Sequence, residues 1–521
     1  MQMKKFLSRF SIFSLLIMVS FLMSCSGSLP KSYPRNESFA LAKPEETMIG
    51  RNFSDLEKNH PGKSGYFLLD EGVDAFVARL LLMDIAEKTL DIQYYIYRFD
   101  IVGEMFAKKM LDAADRGVRI RLLLDDMEIE GNDFKFASLA AHPNIHIRFF
   151  NPFPGRSGFS RIWGFIVDFE RVNQRMHNKI FAVDNQMAIV GGRNIANAYF
   201  TVTPNEYFSD LDLLAVGSIV RDASGSFDEF WNCELSFPVD VLMDKKASGE
   251  DLEKLRKHLE RSWKEYESNA FSKRLTNSDF KKRIENHNLS LIWAPGKVVY
   301  DKPEQITNQS RDQFALVGSY FEPHLQYTDE EFLLISPYLI PGKNGLNLFK
   351  KLRERGVSFS ILTNSLAATD VAVVYGAYAD YHKPLLDLGI RLFELKPSAD
   401  APLKGINYSP SVGATLHAKT LIFDRSEIFI GSMNLDPRSI HLNTELGLII
   451  TSPPLARQVV ALFEEMTALD SSFRLSLQDG NVVWSTKEND KEVHYYRSPY
   501  VNWWRHFWSK LGNFIVPNSL L

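Results

Sequence analysis

From Gly72 the chain reads GVDAFVARLLLMDIAEKTLDIQYYIYR. Its first part has apolar residues at helical spacing and its second part alternates, which predicts an amphipathic helix followed by a half-buried strand. DIVGEMFAKKMLDAADRG repeats the helical spacing and stops at a glycine, and VRIRLLLDD follows as a buried strand. The second half of the chain has the same grammar. EEFLLISPYLI reads as a strand, NGLNLFKKLRERG as a helix with a glycine stop, and VSFSILTNS as a strand; HKPLLDLG and IRLFELKP follow as helix and strand. This order predicts an α/β layer architecture in each half.

Each half then reaches a stretch of a second kind, MHNKIFAVDNQMAIVGGRN from Met176 and LHAKTLIFDRSEIFIGSMN from Leu416. Both run His-x-Lys, four residues to an Asp, six to a Gly and three to an Asn. The two histidines lie about 240 residues apart, far beyond the period of a solenoid array. Two homologous domains facing one another are therefore expected, over residues 66–235 and 306–475. Residues 236–305, with SGEDLEKLRKHLERSWKEYESNAFSKRL, read as a charged, solvated helical connector.

The ends differ. Lys4, Lys5 and Arg9 precede the apolar run SIFSLLIMVSFLM, and Leu22-Met23-Ser24-Cys25 closes it with small residues. Residues 1–24 thus read as a secretory signal. The segment resembles a bacterial lipobox, which implies cleavage before Cys25 and a lipid on its thiol. Ser26 after Cys25 resembles the pattern of lipoproteins sent on to the outer membrane. Residues 25–65 are rich in Ser, Pro, Lys, Glu and Asn and read as a tether. With Cys25 lipidated, Cys233 has no partner and reads as a small buried hydrophobe. The tail, residues 476–521, contains VNWWRHFWSKLGNFIVP, in which Trp504, Phe507, Trp508 and Leu511 can share a helical face. That face suits an interfacial membrane helix or one docked on the protein.

Composition is ordinary for a globular chain of 521 residues, with 45% hydrophobic and 24% charged. The formal net charge of −4 and the pI of about 6.3 argue against a basic nucleic-acid binder, so no nucleic-acid partner is expected. Protein partners are not indicated either way.

The repeated stretches carry the chemistry. Side chains at i and i+2 of a strand share a face, so His177 projects with Lys179 and His417 with Lys419. Asp184 and Asp424 sit at turns and read as structural supports. Gly191 and Gly431 read as places where backbone approaches a ligand, with Asn194 and Asn434 just beyond. A single His-x-Lys would suit a half-buried histidine and a snorkelling lysine; two copies in one register do not. Two ammonium groups and two amides around one point suit a phosphodiester, whose developing charge needs stabilising. Of two imidazoles, one can attack phosphorus and the other protonate the leaving alcohol. A metal does not suit the pattern, because His-x-Lys sets an ammonium where a second ligand would stand; no cofactor is called for. A nucleophilic histidine also needs a carboxylate to hold it. Asp212, in YFSDLDLLAVG, and Glu445, in LNTELGLII, each precede an apolar strand; Asp210 is the rival to Asp212.

These residues resemble the phospholipase D superfamily, whose signature is two His-x-Lys-x4-Asp motifs with a trailing Gly-x-x-Asn. One departure is Gly192-Arg193 against Ser432-Met433; Ser432 therefore has no twin, and its hydroxyl takes at most a supporting role. QYYIYRFDIVGEMF, ADRGVRIRLLLDD, GFIVDFERVNQRMHNK, VGGRNIANAYF, ILTNSLAATDVAVVYGAYA and LHAKTLIFDRSEIFIGSMNLDPRSIHLNTE are similar to the C subtype of bacterial cardiolipin synthases. The resemblance implies two α/β sandwich domains of phospholipase D type related by a pseudo-dyad. It implies phosphatidyl transfer between membrane phospholipids through a phosphatidyl-histidine, with phosphatidylglycerol and, for this subtype, phosphatidylethanolamine as substrates. His177 matches the nucleophile and His417 the general acid/base, an order that pseudo-symmetry leaves open to reversal. It also implies an exported protein anchored to a membrane and facing the periplasm. The aromatic segments Phe149-Phe150-Asn151-Pro152-Phe153 and Trp163-Gly164-Phe165 suit an apolar mouth over such a site, or plain core. A hydrolase, either a phospholipase D or a nuclease, and an inactive lipid-binding scaffold are the competing expectations.

Overall fold

The structure is a computed structural model. It describes residues 29–521 apart from 130, 157, 203–205, 244, 287, 308–316, 398–412, 502, 508 and 510–521. The signal segment and Cys25 lie outside the described residues, as do Leu511 and the Trp508 side chain.

Strands of the first half are β1 (Ser64–Leu69), β2 (Thr89–Tyr94), β3 (Arg119–Asp125), β4 (Ile145–Phe150), β5 (Ile180–Val183), β6 (Met187–Gly191), β7 (Glu206–Ser209), β8 (Asp212–Val216), β9 (Ser236–Pro238) and β10 (Ile292–Ala294). The second half supplies β11 (Gly296–Tyr300), β12 (Glu331–Ile335), β13 (Ser358–Asn364), β14 (Arg391–Leu395), β15 (Gly413–Leu416), β16 (Thr420–Phe423), β17 (Glu427–Gly431), β18 (Leu446–Thr451), β19 (Ser472–Gln478), β20 (Asn481–Glu488) and β21 (Lys491–Tyr495).

Nine strands form one sheet, in the order β10-β1-β8-β6-β5-β2-β3-β4-β9. Ten form the other, in the order β11-β18-β17-β16-β12-β13-β14-β19-β20-β21. The run β1-β8-β6-β5-β2-β3-β4 thus has its counterpart in β11-β18-β17-β16-β12-β13-β14. In each, three parallel strands are crossed over by helices and a run of antiparallel strands completes the sheet. The strands are apolar because they are covered; every residue of β2, β5, β6 and β8 is buried. One buried cluster joins the two halves, containing Ile180, Val190 and Leu213 of the first with Ile335, Ile430 and Leu448 of the second. The expected α/β sandwich domains, paired across a pseudo-dyad, are the observed architecture.

The flanking segments differ from a plain reading of their polarity. The expected tether is held down from its first described residues. Arg148, Arg121 and Arg119 donate to the carbonyls of Asn36 (2.7 Å), Ser38 (2.5 Å) and Phe39 (2.6 Å), and Met48–Asn59 is a helix. The charged connector helix Gly249–Glu267 is not solvated on all sides. Its Leu252, Leu255 and Leu259 are buried, and His258 and Tyr266 bond Glu104, each at 2.9 Å. Three- and four-residue spacing of its leucines gives the apolar stripe that the charges obscure. The C-terminal segment continues the second sheet through β20 and β21 before reaching its aromatic residues.

Asp184 and Asp424 are buttresses, although not of their own turns. Both have positive φ, 50° and 47°. The Asp184 carboxylate accepts from the backbone N–H groups of Glu87 (2.9 Å), Lys88 (2.8 Å) and Thr89 (2.8 Å) at the start of β2. That of Asp424 accepts from Asp329 (2.9 Å), Glu330 (2.8 Å) and Glu331 (2.8 Å) at the start of β12. Alanine at Asp184 would leave three donors bare and put a β-carbon residue at positive φ with no local bond. We expect about 3 kcal/mol of lost stability, read from urea unfolding curves.

Candidate active site

His177 and His417 stand just before β5 and β16, beside the carboxyl ends of the parallel strands: Ile180 pairs with Gln93 near the end of β2, and Thr420 with Ile335 at the end of β12. Backbone pairing between the halves brings the motifs together. Met176 forms a parallel bridge with Thr444, and His177 N donates to the Thr444 carbonyl at 2.9 Å. Reciprocally, β15 pairs with β7, and His417 N donates to the Ser209 carbonyl at 2.8 Å. Each histidine is thereby laid beside the acid of the opposite half. His177 Nδ1 is 2.9 Å from Glu445 Oε2 and 3.1 Å from the Ser432 carbonyl. His417 Nδ1 is 2.5 Å from Asp210 Oδ2.

Asp210, not Asp212, is therefore the carboxylate on His417. Strand register explains the difference. Gly191 pairs with Asp212 and Gly431 with Gly447, so the positional twin of Glu445 lies two residues before Asp212. Asp210 precedes β8, whereas Asp212 opens it and is turned to Arg79 at 2.9 Å and Arg193 at 3.4 Å. The glycines serve the same packing. A β-carbon at Gly191 would strike the Asp212 carboxylate and the Leu211 carbonyl, and one at Gly431 would strike the Leu446 carbonyl. Their smallness admits the neighbouring strand, so the expected close approach of a ligand is not their reason. Gly192 has a more direct role, since a β-carbon there would occupy the space of the Asp210 carboxylate. Its counterpart Ser432 donates its hydroxyl to Glu445 Oε2, and Ser439 donates to Oε1 at 2.6 Å.

Each lysine folds back under its own imidazole. Lys179 Nζ donates to the His177 carbonyl at 2.6 Å, and Lys419 Nζ to that of His417. The imidazoles keep 7% of their surface and the lysines 2%, so these are charges in a confined, poorly hydrated space. Burial, with help from Lys179 and Lys419, holds the His177 imidazole well below its ordinary value. Burial and Lys419 bring His417 down to about 4, against the pull of Asp210. The same burial lowers Lys179 to about 7 and Lys419 to about 8. It pushes the Glu445 carboxyl up to about 7, opposed by Lys179 and the two serine hydroxyls. Burial works against the Asp210 charge too, but the His417 imidazole and the Lys419 ammonium hold its carboxyl well below the usual range. Both histidines respond to both lysines, as expected of four groups around one point.

The asparagines take different positions. Asn194 Oδ1 accepts from Ile96 N (3.0 Å) and its Nδ2 donates to Tyr199 OH (2.9 Å); its amide is occupied in bracing the loop after β2 and Tyr199. The Tyr199 ring meets His417 edge-on at 5.1 Å, as Tyr95 meets His177 at 5.1 Å. Asn434 Oδ1 is buried with no hydrogen-bond partner among the described residues. Phe149, Phe150 and Phe153 are core residues, 0–3% exposed, which removes them from any mouth.

Two supporting positions are absent from the motif-based reading. The Asp125 carboxylate, ending β3, accepts from Met176 N at 2.8 Å; Asn364, ending β13, accepts from Leu416 N at 2.8 Å and donates to the Leu416 carbonyl at 2.9 Å. Each holds the residue before a histidine. The signal is visible in hindsight, because both end the middle parallel strand of their half. Arg438 has no such twin; it binds Asn173 from across the dyad at 3.0 and 2.9 Å.

The domain family described as "Cardiolipin synthase, PLD-like domain" matches residues 80–208 and 323–467. Cardiolipin synthase C of Escherichia coli (strain K12) is 37% identical over 470 residues, covering 89% of this chain and 98% of its own. An uncharacterized protein of Helicobacter pylori (strain ATCC 700392 / 26695) is 32% identical over 96% of this chain and 98% of its own. Among solved structures, phosphatidylserine synthase of Haemophilus influenzae Rd KW20 superposes with a TM-score of 0.53 at 14% identity, over 81% of this chain and 91% of its own, a likeness of fold. The paired histidine–lysine motifs and these matches agree, and the chain belongs to the cardiolipin synthase family of phospholipase D-like enzymes.

Proposed function

We propose that the protein makes cardiolipin by transferring a phosphatidyl group from one phospholipid to the glycerol hydroxyl of phosphatidylglycerol, through a phosphatidyl-histidine. The observation that carries this reading is the crossed pair of imidazole–carboxylate contacts, His177–Glu445 and His417–Asp210. A carbonyl only accepts, so the Ser432 carbonyl keeps the proton on His177 Nδ1 and leaves a lone pair at Nε2. That nitrogen attacks phosphorus. The P–O bond to the head group breaks, and the leaving oxygen takes a proton from His417. His417 reaches its imidazolium form when the anionic phosphodiester enters and offsets the lysine charges; the ionised Asp210 at Nδ1 favours that form. In the second step the acceptor hydroxyl returns its proton to His417, its oxygen bonds phosphorus and the P–Nε2 bond breaks. Lys179, Lys419 and the Asn434 amide balance the phosphoryl charge. Glu445, ionised against the cost of its burial, accepts the Nδ1 proton of a neutral His177 and leaves Nε2 free to attack; Asp210, firmly ionised, favours a protonatable His417. That difference supports His177 as nucleophile and His417 as acid/base. Phosphatidylglycerol and phosphatidylethanolamine are the proposed donors.

We also propose that Cys25 carries lipid, which places the enzyme on the periplasmic side of a bacterial membrane, the outer one by the Ser26 pattern. No helix of the described residues is long and apolar enough to cross a membrane.

The test is synthesis by the purified protein from defined, labelled lipids. Labelled phosphatidylglycerol, with and without phosphatidylethanolamine, gives cardiolipin under this reading; phosphatidic acid without cardiolipin would make the enzyme a hydrolase. The rate has a narrow pH optimum. It falls on the acid side, where Glu445, raised to about 7, takes up a proton, and on the alkaline side, where Lys179 at about 7 and then Lys419 at about 8 lose theirs. In Glu445→Gln the acid limb flattens while the alkaline limb stays, as read from kcat/KM between pH 5 and 10.

A further inference from the structure

The helix Gly158–Val167 stacks Phe165 on the buried Phe153, at 6.2 Å between ring centroids, and still shows a second apolar side outward. Its inner side carries Arg161, 7% exposed, whose guanidinium donates to the carbonyls of Asp126 (2.7 Å) and Met127 (2.8 Å). Its outer side carries Ile162, Ile166 and Val167, which are 60, 61 and 64% exposed, and Phe169 follows at 37%. Single exposed apolar residues are commonplace. A row of them at helical spacing, on a helix whose other side is already packed through Arg161 and Phe165, is a contiguous apolar face without a protein partner among the described residues.

This helix stands at the carboxyl edge of the first sheet, the edge that carries His177, since Arg161 binds the chain just past the end of β3. It lies in the segment joining the end of β4 to His177. Asp126, which its neighbour Arg156 also binds at 2.7 Å, follows the Asp125 that holds Met176. The second half presents a like feature at the corresponding edge of its own sheet. Residues 503–507 are helical, and Arg505 donates to the carbonyls of Leu366 (2.7 Å) and Thr369, just past the end of β13. Trp503 and Trp504 stack on each other at 3.9 Å and are 66 and 53% exposed.

A third observation points the same way. Read backwards, the N-terminal segment runs from Phe39, held by Arg119 at the start of β3, to Tyr33, whose hydroxyl donates to the Ser236 carbonyl at 3.4 Å. Ser236 pairs with Phe150 at the end of β4. The segment therefore leads toward the end of the sheet from which the Gly158–Val167 helix departs. Cys25 stands four residues before Leu29, a reach of at most about 14 Å.

We infer that Ile162, Ile166, Val167 and Phe169, together with Trp503 and Trp504, seat in a phospholipid bilayer and press the imidazole site against its head groups. The proposal rests on the phosphatidyl-transfer reading for its choice of a lipid surface as occupant. Aliphatic side chains enter the acyl boundary, and indole rings favour the interface. Water would be held away from the phosphatidyl-histidine by the lipid itself, so that a lipid hydroxyl is the acceptor within reach.

The test uses the full chain reconstituted in vesicles of phosphatidylglycerol and phosphatidylethanolamine that contain a phospholipid with a photoactivatable acyl chain. Adducts concentrated in peptides spanning residues 158–172 and 498–509 are expected. Adducts scattered over the surface, or links between protein copies through these peptides, would overturn the proposal, the latter in favour of a second copy as occupant. Ile162→Glu/Ile166→Glu should lower turnover on vesicles by about ten-fold or more and leave turnover of monomeric short-chain phosphatidylglycerol unchanged. Equal loss on both substrates, or on neither, counts against it. If the unaltered chain labels as expected but makes no cardiolipin from either lipid form, the transfer reading fails and the docking surface stands.

Discussion

Cardiolipin formation falls by ~10²–10⁴-fold in His417→Ala and by more in His177→Ala, with folding unchanged by circular dichroism. The two losses differ in kind. Without His417, Nε2 of His177 keeps its lone pair, because its Nδ1 proton is held by the Ser432 carbonyl and Glu445 at 3.1 and 2.9 Å. Under the proposed phosphatidyl-histidine route, attack on phosphorus still takes place, with the leaving oxygen departing unaided. The deprotonation of the acceptor is then slow as well, so the phosphatidyl adduct accumulates. Without His177 no adduct forms. Intact-protein mass spectrometry after mixing with phosphatidylglycerol should therefore show one added phosphatidyl group in His417→Ala and none in His177→Ala. The reverse pattern would exchange the two roles. Unchanged lipid turnover in both variants would leave only a lipid-binding scaffold.

The helix–strand alternation at the start of each half was legible because its apolar periods are regular, from the helix at Gly72 to the strand at Arg119 and from the strand at Glu331 to that at Arg391. The His-x-Lys stretches were legible because they repeat. What the chain does not display is pairing across the dyad. His177 bonds a residue 268 positions away and His417 one 207 positions away; Glu445 and the rival Asp210 stand out near the motifs of their own halves, but nothing local shows that each serves the histidine of the other half. The choice between Asp210 and Asp212 turns on a two-residue register against Gly191, which only the sheet fixes. Polarity misled at the ends for a related reason. Arg119, Arg121 and Arg148 project from β3 and β4 and bind backbone carbonyls, so a segment without apolar pattern is nonetheless pinned. Asn194 matched the motif, yet its amide is engaged with Ile96 and Tyr199, a use that depends on where the loop after β2 falls.

Asp212→Asn should unfold more easily by about 3–5 kcal/mol, whereas Asp210→Asn should fold normally and lose turnover by about 10²-fold. Two residues apart on one chain, these carboxylates answer to different charges. Asp212 is fully buried against Arg79, whose guanidinium also meets Tyr94 OH at 2.9 Å and the Ala75 carbonyl at 2.8 Å. Arg193 lies 3.4 Å away on the other side. Guanidinium groups do not shed their protons, so an amide at 212 leaves positive charge buried without its counterion. Asp210 faces a group that can yield. Burial and Lys419 keep His417 neutral at pH 7, and Lys419, whose ammonium Asp210 also supports, can give up its proton, so an amide at 210 strands no fixed charge; its carbonyl still accepts from Nδ1. What it cannot do is stabilise the imidazolium on which proton transfer to the leaving oxygen depends. Urea unfolding and turnover on the same preparations separate the two effects. A stable but inactive Asp212→Asn, with Asp210→Asn active, would mean that the crossed pairing seen here is not the one that works.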